Sequence, residues 1–295
     1  MKSEWPTLLV VLGCYLSFVV FTYFSGSLGL FVIPLLALTL TLHSSLQHEV
    51  LHGHPFRSQF LSETLVFPAI GVFIPYERFR DTHLSHHHDP NLTDPYDDPE
   101  SNYMDPVVWS GLPAWVKSFL RLNNTLFGRM LVGPLIGTLS FWKSDIGKMC
   151  GGDRTVIRAY LMHGLGLLLV LGWLWMVWEI SLWSYLLAAY LALSILKIRT
   201  FLEHRAHEAI PGRTVIIEDR GGLAFLFLNN NFHAAHHAHP KLCWHQLPSF
   251  YEDRKASFLD RNRHYCYGSY WEVIRAHFFS SKDEVPHPLM ENTHD

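Results

Sequence analysis

Long apolar stretches alternate with polar segments along this chain. Four of them are long enough, or nearly so, to cross the roughly 30 Å hydrocarbon layer of a bilayer, which takes about 20 helical residues. They are Thr7–Phe24, Leu28–Leu46, Ala159–Trp178 and Leu182–Leu196. Helical continuation through Lys197 would lengthen the fourth span to residue 198, because a lysine side chain can reach the interface. Two shorter stretches, Leu131–Trp142 and the proline-broken Phe60–Tyr76, predict interfacial or re-entrant segments.

The pattern predicts an all-α integral membrane protein with about four transmembrane helices and additional interfacial helices. Tryptophans gather around one predicted membrane exit, as interfacial aromatic residues do: Trp173, Trp175, Trp178 and Trp183. A large soluble helical protein is the alternative, which tandem runs this apolar disfavour. We expect one domain over residues 1–295, with polar segments 47–158 and 199–295 forming a cap, since no linker is evident.

Basic residues are unevenly distributed between the predicted loops. They precede the first span, follow the second and fourth spans, and flank the 131–142 stretch. The turns at Ser25–Ser27 and Glu179–Ser181 contain no Lys or Arg. The positive-inside rule therefore predicts that both termini and both polar segments are cytoplasmic. No cleavable signal peptide is evident in the first apolar run.

Charge and cysteine content exclude several classes of protein. The net charge of −3, with no basic stripe and no nucleic-acid motif, argues against DNA or RNA partners. The four cysteines are scattered and form no CxxC motif. This spacing predicts neither a disulfide framework nor a rubredoxin-type or iron–sulfur centre.

Three short histidine clusters lie in or beside the polar segments. They are His48-Glu-Val-Leu-His52, His83-Leu-Ser-His86-His87 and His233-Ala-Ala-His236-His237. A spacing of three or four residues places two imidazole rings on one helix face. Imidazole is the commonest side-chain ligand for transition metals, and eight nitrogen donors exceed what one tetrahedral site can use. The clusters therefore predict a site for more than one metal ion, on the cytoplasmic side.

Other metal chemistries compete with this interpretation. His48 and His52 also fit the HExxH motif of zinc proteases, with Glu49 as general base, but a protease leaves both HxxHH clusters unexplained. A ferritin-like di-iron site requires paired Glu-x-x-His motifs, and Glu49-x-x-His52 stands alone. A metal transporter would carry its ionisable residues within the spans, whereas the clusters lie at or beyond the span ends.

The order HxxxH, HxxHH, HxxHH, with two spans before the first boxes and two before the last, resembles the membrane-bound fatty acid desaturase superfamily. That superfamily includes acyl desaturases, alkane monooxygenases and carotenoid ketolases. The acidic segment Thr93–Glu100 after the second box and the His239-Pro240 and Leu247-Pro248 pairs after the third are also similar. The resemblance covers Leu28 to Pro248 and is greatest to bacterial members, which implies a bacterial inner-membrane location.

The resemblance implies two non-haem iron ions held by histidines, with O2 as co-substrate. Beyond the eight cluster histidines, His204 occupies the place of a further family ligand, with His207 as its competitor. The implied ligands are His48, His52, His83, His86, His87, His204, His233, His236 and His237. Neighbouring histidines could shift the register of the boxes: His43, His54, His88 and His239. His163 lies alone within a span and is expected to be a packing residue.

Each ligating imidazole needs a partner for its other nitrogen. Several acidic and amide side chains lie close enough in sequence: Glu49, Asp89, Asp94, Asp97, Asp98, Glu203 and Asn229–Asn231. We select Glu49, Asp98, Glu203 and Asn230 as the candidates. The competing interpretation is that acidic and Asn-rich turns cap helices and solvate loops.

The resemblance also implies an O2-dependent oxidoreductase that attacks unactivated C–H bonds of a lipid-like substrate. Fatty acyl desaturation is the leading interpretation, and hydroxylation or carotenoid-type ketone formation is the alternative, with the zinc protease a distant third. Because the chain shows no haem-binding or rubredoxin-type module, we expect an external electron donor, either a ferredoxin, a rubredoxin or a cytochrome. Residues 253–295 are expected to belong to the cytoplasmic cap or to a docking surface.

Overall fold

The computed structural model describes residues 4–88 and 91–290. These residues form mostly α-helix, with one short parallel pair of strands. The α-helices are α1 Trp5–Tyr23, α2 Ser25–Leu28, α3 Val32–Leu51, α4 Gln59–Thr64, α5 Tyr76–His88, α6 Pro106–Gly111, α7 Ala114–Asn123, α8 Leu126–Leu131, α9 Gly133–Cys150, α10 Arg154–Val177, α11 Leu182–Thr200, α12 Gly222–Leu226, α13 His233–Ala238, α14 Leu247–Glu252, α15 Lys255–Arg261 and α16 Tyr270–His277. Short 3-10 helices span Gly29–Phe31, Ile210–Arg213 and Trp244–Gln246, and the strands are β1 Ile216–Ile217 and β2 Cys266–Tyr267.

Four helical segments within this part of the chain are long and apolar enough to cross a membrane. They are Trp5–Tyr23, Ser25–Leu51, Arg154–Val177 and Leu182–Thr200. The predicted all-α membrane class with four spans is therefore confirmed. The third spanning segment, α10, begins at Arg154, before the apolar run. It begins there because the Asp153 carboxylate accepts the N–H groups of Thr155 and Val156 and caps the helix. The fourth spanning segment, α11, continues past Lys197, as predicted, and ends at Thr200 rather than at residue 198.

The chain divides into two compact units. The first comprises Met1–Asp81, Pro134–Leu196 and Leu226–Leu228. Its core contains buried side chains from α1, α3, α10 and α11, among them Phe18, Leu36, Val170 and Tyr185. The Tyr185 hydroxyl donates to the carbonyl of Ile70 at 2.7 Å.

Apolar side chains also cover the outside of the first unit. In α1 and α10, large residues that face outwards include Leu12, Leu16, Leu161, Leu168 and Trp175. Exposed apolar surface of this extent is expected where lipid rather than water is the solvent.

The shorter apolar stretches belong to shorter helices. Phe60–Tyr76 forms α4 and then a run of turns that ends where α5 begins. Most of Leu131–Trp142 lies in α9, where the Trp142 indole donates to the Phe73 carbonyl at 3.0 Å. Arg78 of α5 and Asp145 of α9 form a buried ion pair at 2.9 Å.

The second unit comprises Thr82–Gly133, Lys197–Phe225 and Asn229–Asp295. Its core packs β1 against α13, α14 and α15 through Ile216, Phe232, Leu247, Tyr251 and Phe258. Asn231, next to Phe232, donates its amide to the Ile217 carbonyl at 2.6 Å. The start of α13, which carries the third histidine cluster, is thereby held against the strand.

Candidate metal centre

Two helix ends of the second unit present histidines at helical spacing. On α5, the ring centroids of His83 and His87 are 4.6 Å apart, and on α13 those of His233 and His237 are 4.5 Å apart. The Nε2 atoms within each pair lie 3.0 Å and 3.2 Å apart, respectively. The spacing of four residues has therefore placed both members of each pair on one helix face.

His204 lies close to one histidine from each of these helices. Its Nε2 lies 2.9 Å from Nε2 of His86 and 3.1 Å from Nε2 of His233. One ligand atom from each of His86, His204, His233 and His237 lies within 4.8 Å of the others. These four residues form one candidate metal site, named here the His204 group.

A second set of nitrogens lies in the same unit. His236 Nε2 lies 3.1 Å from His87 Nε2, which is itself 3.0 Å from His83 Nε2. One ligand atom from each of His83, His87 and His236 also lies within 4.8 Å of the others, and these three residues are named here the His87 group. The two HxxHH clusters thus contribute to two groups of donors rather than to one.

The HxxxH pair belongs to the first unit. His48 lies near the end of α3, and His52 directly follows this helix. Both side chains are buried, and their ring centroids lie 4.9 Å apart. The pair therefore offers two adjacent imidazoles on the same side of the helix end.

The nitrogen distances test whether a metal ion fits. An imidazole nitrogen has one in-plane lone pair or proton, so it can serve one linear hydrogen bond, yet His204 Nε2 and His87 Nε2 each face two other ring nitrogens. At a metal–nitrogen distance of about 2.1 Å, ligands at a right angle are about 3.0 Å apart and tetrahedral ligands about 3.4 Å apart. The observed separations of 2.9 to 3.2 Å lie within or just below the range that these two arrangements span. The nitrogens are therefore close enough together to share a metal ion.

Two carboxylates orient the α5 histidines from outside. His86 Nδ1 donates to Asp98 Oδ1 at 2.7 Å, and His83 Nδ1 donates to Glu100 Oε1 at 2.8 Å. Asp98 also accepts the backbone N–H groups of Thr93 at 2.8 Å and Glu100 at 2.9 Å, so its carboxylate is held in place. Because Nδ1 of each ring faces a carboxylate, Nε2 is the nitrogen that points into the histidine cluster.

Asn230 and Glu203 lie beside the third cluster. His233 Nδ1 is 3.2 Å from Asn230 Oδ1, and the Asn230 amide donates to Glu203 at 3.2 Å. Glu203 also pairs with Arg199 at 3.2 Å, and its carboxylate lies 3.8 Å from His233 Nδ1. The selected candidates Asp98, Asn230 and Glu203 thus lie next to cluster histidines.

The other acidic and amide candidates have different surroundings. Glu49 lies in the first unit, 4.0 Å from Nε2 of His54. Asp94 accepts N–H groups within its own turn, Asp97 accepts from Asn91, and Asp89 lies outside the described residues. Glu100 was missed by sequence reasoning, although it is the last residue of the acidic segment that follows the second box.

Burial and charge set the protonation of the cluster. Burial lowers the pKa of His87 to about 3, and it lowers the pKa values of His204, His233 and His237 well below their usual range. Burial also acts on His86, but the Glu100 and Asp98 carboxylates outweigh it and raise the pKa of His86 to about 9. Most of the cluster is therefore neutral at pH 7, the form that binds metal.

The remaining histidines have other partners. The Tyr15 hydroxyl donates to the Leu65 carbonyl at 2.7 Å, so its oxygen accepts the Nε2–H of His43 at 3.2 Å. His163 Nε2 donates to the Val72 carbonyl at 2.7 Å, which is a packing contact.

The histidines next to the boxes are engaged in the same way. His54 Nδ1 lies 3.1 Å from the Glu4 carboxylate, and His88 Nδ1 donates to the Leu84 carbonyl at 2.6 Å. His207 Nδ1 accepts the N–H of Ala209 at 3.0 Å. The His239 ring packs against the Phe250 ring, with the ring centroids 4.6 Å apart. The structure thus brings His204, rather than its competitor His207, into the histidine cluster.

Comparison with known families agrees with the arrangement of the boxes. A family model described as "Fatty acid desaturase" matches residues 5–269, which include all three histidine clusters and His204. No curated protein matches the chain significantly.

Proposed function

The chain belongs to the fatty acid desaturase family, and from this premise we propose that it is a membrane-bound, O2-dependent oxidoreductase that introduces a double bond into a fatty acyl chain. The observation that carries the proposal is the convergence of Nε2 atoms in the His204 group and the His87 group. A cluster of neutral imidazoles with anchored Nδ1 atoms is the donor set that a transition metal requires.

The proposed ligands are nine histidines that hold two iron ions. The His204 group and the His87 group supply seven of them. His48 and His52 complete the set because the family pattern begins with an HxxxH box. When bound, the two ions supply the positions at which O2 binds and is reduced.

Residues around the histidines control proton positions in this proposal. Asp98, Glu100 and Asn230 accept the Nδ1–H groups of His86, His83 and His233, so that Nε2 is the nitrogen of each ring that is left to bind a metal ion once any proton on it is lost. Each ring then has one orientation and one tautomer before the metal arrives, and ligand reorganisation adds little to the cost of binding.

The proposed reaction removes two hydrogens from adjacent carbons of a lipid-like substrate. O2, two electrons and two protons combine with these hydrogens to form two molecules of water. The electrons come from an external ferredoxin, rubredoxin or cytochrome. The four spanning helices expose apolar side chains, which suits a protein whose lipid-like substrate is dissolved in the bilayer. We propose that the histidines face the cytoplasm.

The test compares lipids from cells that express the wild type or His236→Ala, with His239→Ala as the control. High-resolution mass spectrometry should find a lipid class that loses two hydrogens with the wild type and with His239→Ala only. Gain of one oxygen instead identifies a hydroxylase, and gain of one oxygen with loss of two hydrogens identifies a ketone-forming enzyme. Unchanged products and iron content in His236→Ala would contradict the site assignment.

Metal analysis separates the oxidoreductase from the HExxH protease. Two irons per chain in the purified wild type support the proposal. One zinc per chain together with peptide cleavage supports the protease.

A further inference from the structure

We propose that Lys282 is a positioning residue for His204, and that the C-terminal segment Phe278–His287 is part of the metal centre. This inference deepens the proposed function and rests on it. The segment lies beyond residue 269, where the family match ends, so the family pattern does not point to it.

His204 has weaker local support than the other members of its group. His86 lies in α5, and His233 and His237 lie in α13, where helical hydrogen bonds fix the backbone. His204 follows the end of α11 in an irregular segment, and its backbone makes an isolated bridge with Thr214. A ligand on such a segment needs contacts from elsewhere to hold its ring.

Lys282 supplies one of these contacts. Its Nζ donates to the main-chain carbonyl of His204 at 2.5 Å. The Lys282 side chain is only 5 % exposed, and its Nζ lies 3.8 Å from the Asp283 carboxylate. Burying an ammonium group is costly unless it is paired and hydrogen-bonded, so this geometry differs from that of an ordinary surface lysine.

The backbone around Lys282 is itself anchored. Ser281 forms an isolated bridge with Thr125, and the Asn124 amide donates to the Asp283 carbonyl at 2.8 Å. The Tyr103 hydroxyl donates to the Asp283 carboxylate. The Tyr103 oxygen also accepts the N–H of Ala206, two residues after His204, at 2.8 Å.

The same segment reaches the turn that holds His86. The Val285 carbonyl accepts from Met104 at 2.9 Å, and the His287 N–H donates to the Met104 carbonyl at 2.8 Å. The His287 ring lies 3.2 Å from the Thr93 hydroxyl, and the Thr93 N–H donates to the Asp98 carboxylate that anchors His86. The segment therefore supports both His86 and His204, whose Nε2 atoms lie 2.9 Å apart.

Loss of the Lys282 ammonium leaves the His204 carbonyl without this donor and frees the segment to move. Outer partners of metal ligands typically change metal affinity about 10–100-fold when removed, and we expect the lower end because Lys282 acts through the backbone. The expected result is a metal ion that leaves about tenfold faster, from a protein that is still folded.

The test loads the full-length protein in detergent with cobalt(II) ions, which report ligand geometry in their visible absorption. Four variants are compared with the wild type: Lys282→Met, Lys282→Arg, Tyr103→Phe and Lys241→Met. Lys241 is an exposed lysine and is the matched control for loss of a lysine. The readouts are the absorption band, the rate of cobalt transfer to a chelator and the midpoint of thermal unfolding.

We expect Lys282→Met to shift the band and release cobalt about tenfold faster, while Lys282→Arg and Lys241→Met behave like the wild type. If Lys282→Met does not fold, Tyr103→Phe tests the inference instead, because removing its hydroxyl group loosens the same segment. A wild-type band and release rate in Lys282→Met, or in Tyr103→Phe when that variant decides, overturns the inference.

The proposed function fails in a different way. The wild type could bind cobalt, and Lys282→Met could release it faster, while cells that express the wild type yield no oxidised lipid. This result contradicts the proposed reaction and leaves the positioning role of Lys282 supported. A wild type that binds no cobalt contradicts both.

Discussion

The Nε2 atoms of His86 and His204 lie 2.9 Å apart, although 118 residues separate them in the sequence. The Asp98 carboxylate accepts from Nδ1 of His86, and the Lys282 ammonium donates to the main-chain carbonyl of His204. His204 Nε2 also faces His233 Nε2 at 3.1 Å, and one proton cannot serve both contacts. A metal ion between these nitrogens would accept a lone pair from each of them.

His204→Ala should remove one donor from the His204 group. We expect the metal content to fall below that of the wild type and the turnover to fall by at least about 100-fold, since loss of a direct ligand exceeds the effect of losing an outer partner. Metal analysis by mass spectrometry and the lipid assay measure the two effects. His207→Ala is the control, and a larger loss in that variant would reverse the assignment of the two residues.

Asp98→Asn should weaken metal binding without removing a ligand. The Asp98 side chain is 1 % exposed and accepts from His86, whereas the neighbouring Asp97 is exposed and accepts from Asn91. An outer partner of this kind is worth about 10–100-fold in metal affinity. Competition with a chelator should show that loss for Asp98→Asn and almost none for Asp97→Asn. Equal affinities in the two variants would mean that the carboxylate has no role in orienting His86.

Asp145→Asn should destabilise the first unit. The Asp145 carboxylate pairs with Arg78 at 2.9 Å, and the two side chains are 1 % and 7 % exposed. The amide removes the carboxylate nearest to a buried guanidinium, from which the Asp81 carboxylate lies farther away, at 3.9 Å. Breaking one side of a buried pair costs about 3–5 kcal/mol.

Thermal unfolding in detergent measures this effect. The exposed Asp260→Asn serves as the control for the loss of one negative charge. An unfolding midpoint that is the same in both variants would show that the pair contributes nothing to stability.

Two glycines on α10 should respond differently to alanine. A Cβ at Gly166 would lie 2.5 Å from the Phe67 carbonyl oxygen, whereas a Cβ at Gly164 meets nothing within 4 Å. Gly166→Ala must push the helix away from the backbone of residues 67–69, and such overpacking costs about 1–3 kcal/mol. Gly164→Ala should be neutral or should stabilise by up to about 1 kcal/mol, because alanine favours the helix. The measurement is the difference between the thermal unfolding midpoints of the two variants. A midpoint for Gly164→Ala that is lower than that of Gly166→Ala would contradict the packing argument.

The four membrane-spanning helices could be predicted because each span is a local property of composition and length. The ends were less predictable: α10 begins at Arg154 rather than Ala159 because the Asp153 side chain caps it, and hydropathy does not detect a cap. Contacts divide the chain into two compact units, each assembled from segments that are separated in the sequence. No linker or change in composition marks where these segments begin and end.

The histidine boxes were visible in the sequence because helical spacing alone places His83 beside His87 and His233 beside His237. Sequence by itself thus determined the fold class, the donor chemistry and the family pattern. Tertiary structure alone decided that His204 joins His86, that Glu100 orients His83 and that Lys282 reaches the His204 carbonyl. These contacts join residues that no periodicity relates, since they depend on where irregular segments fold back after the helices end.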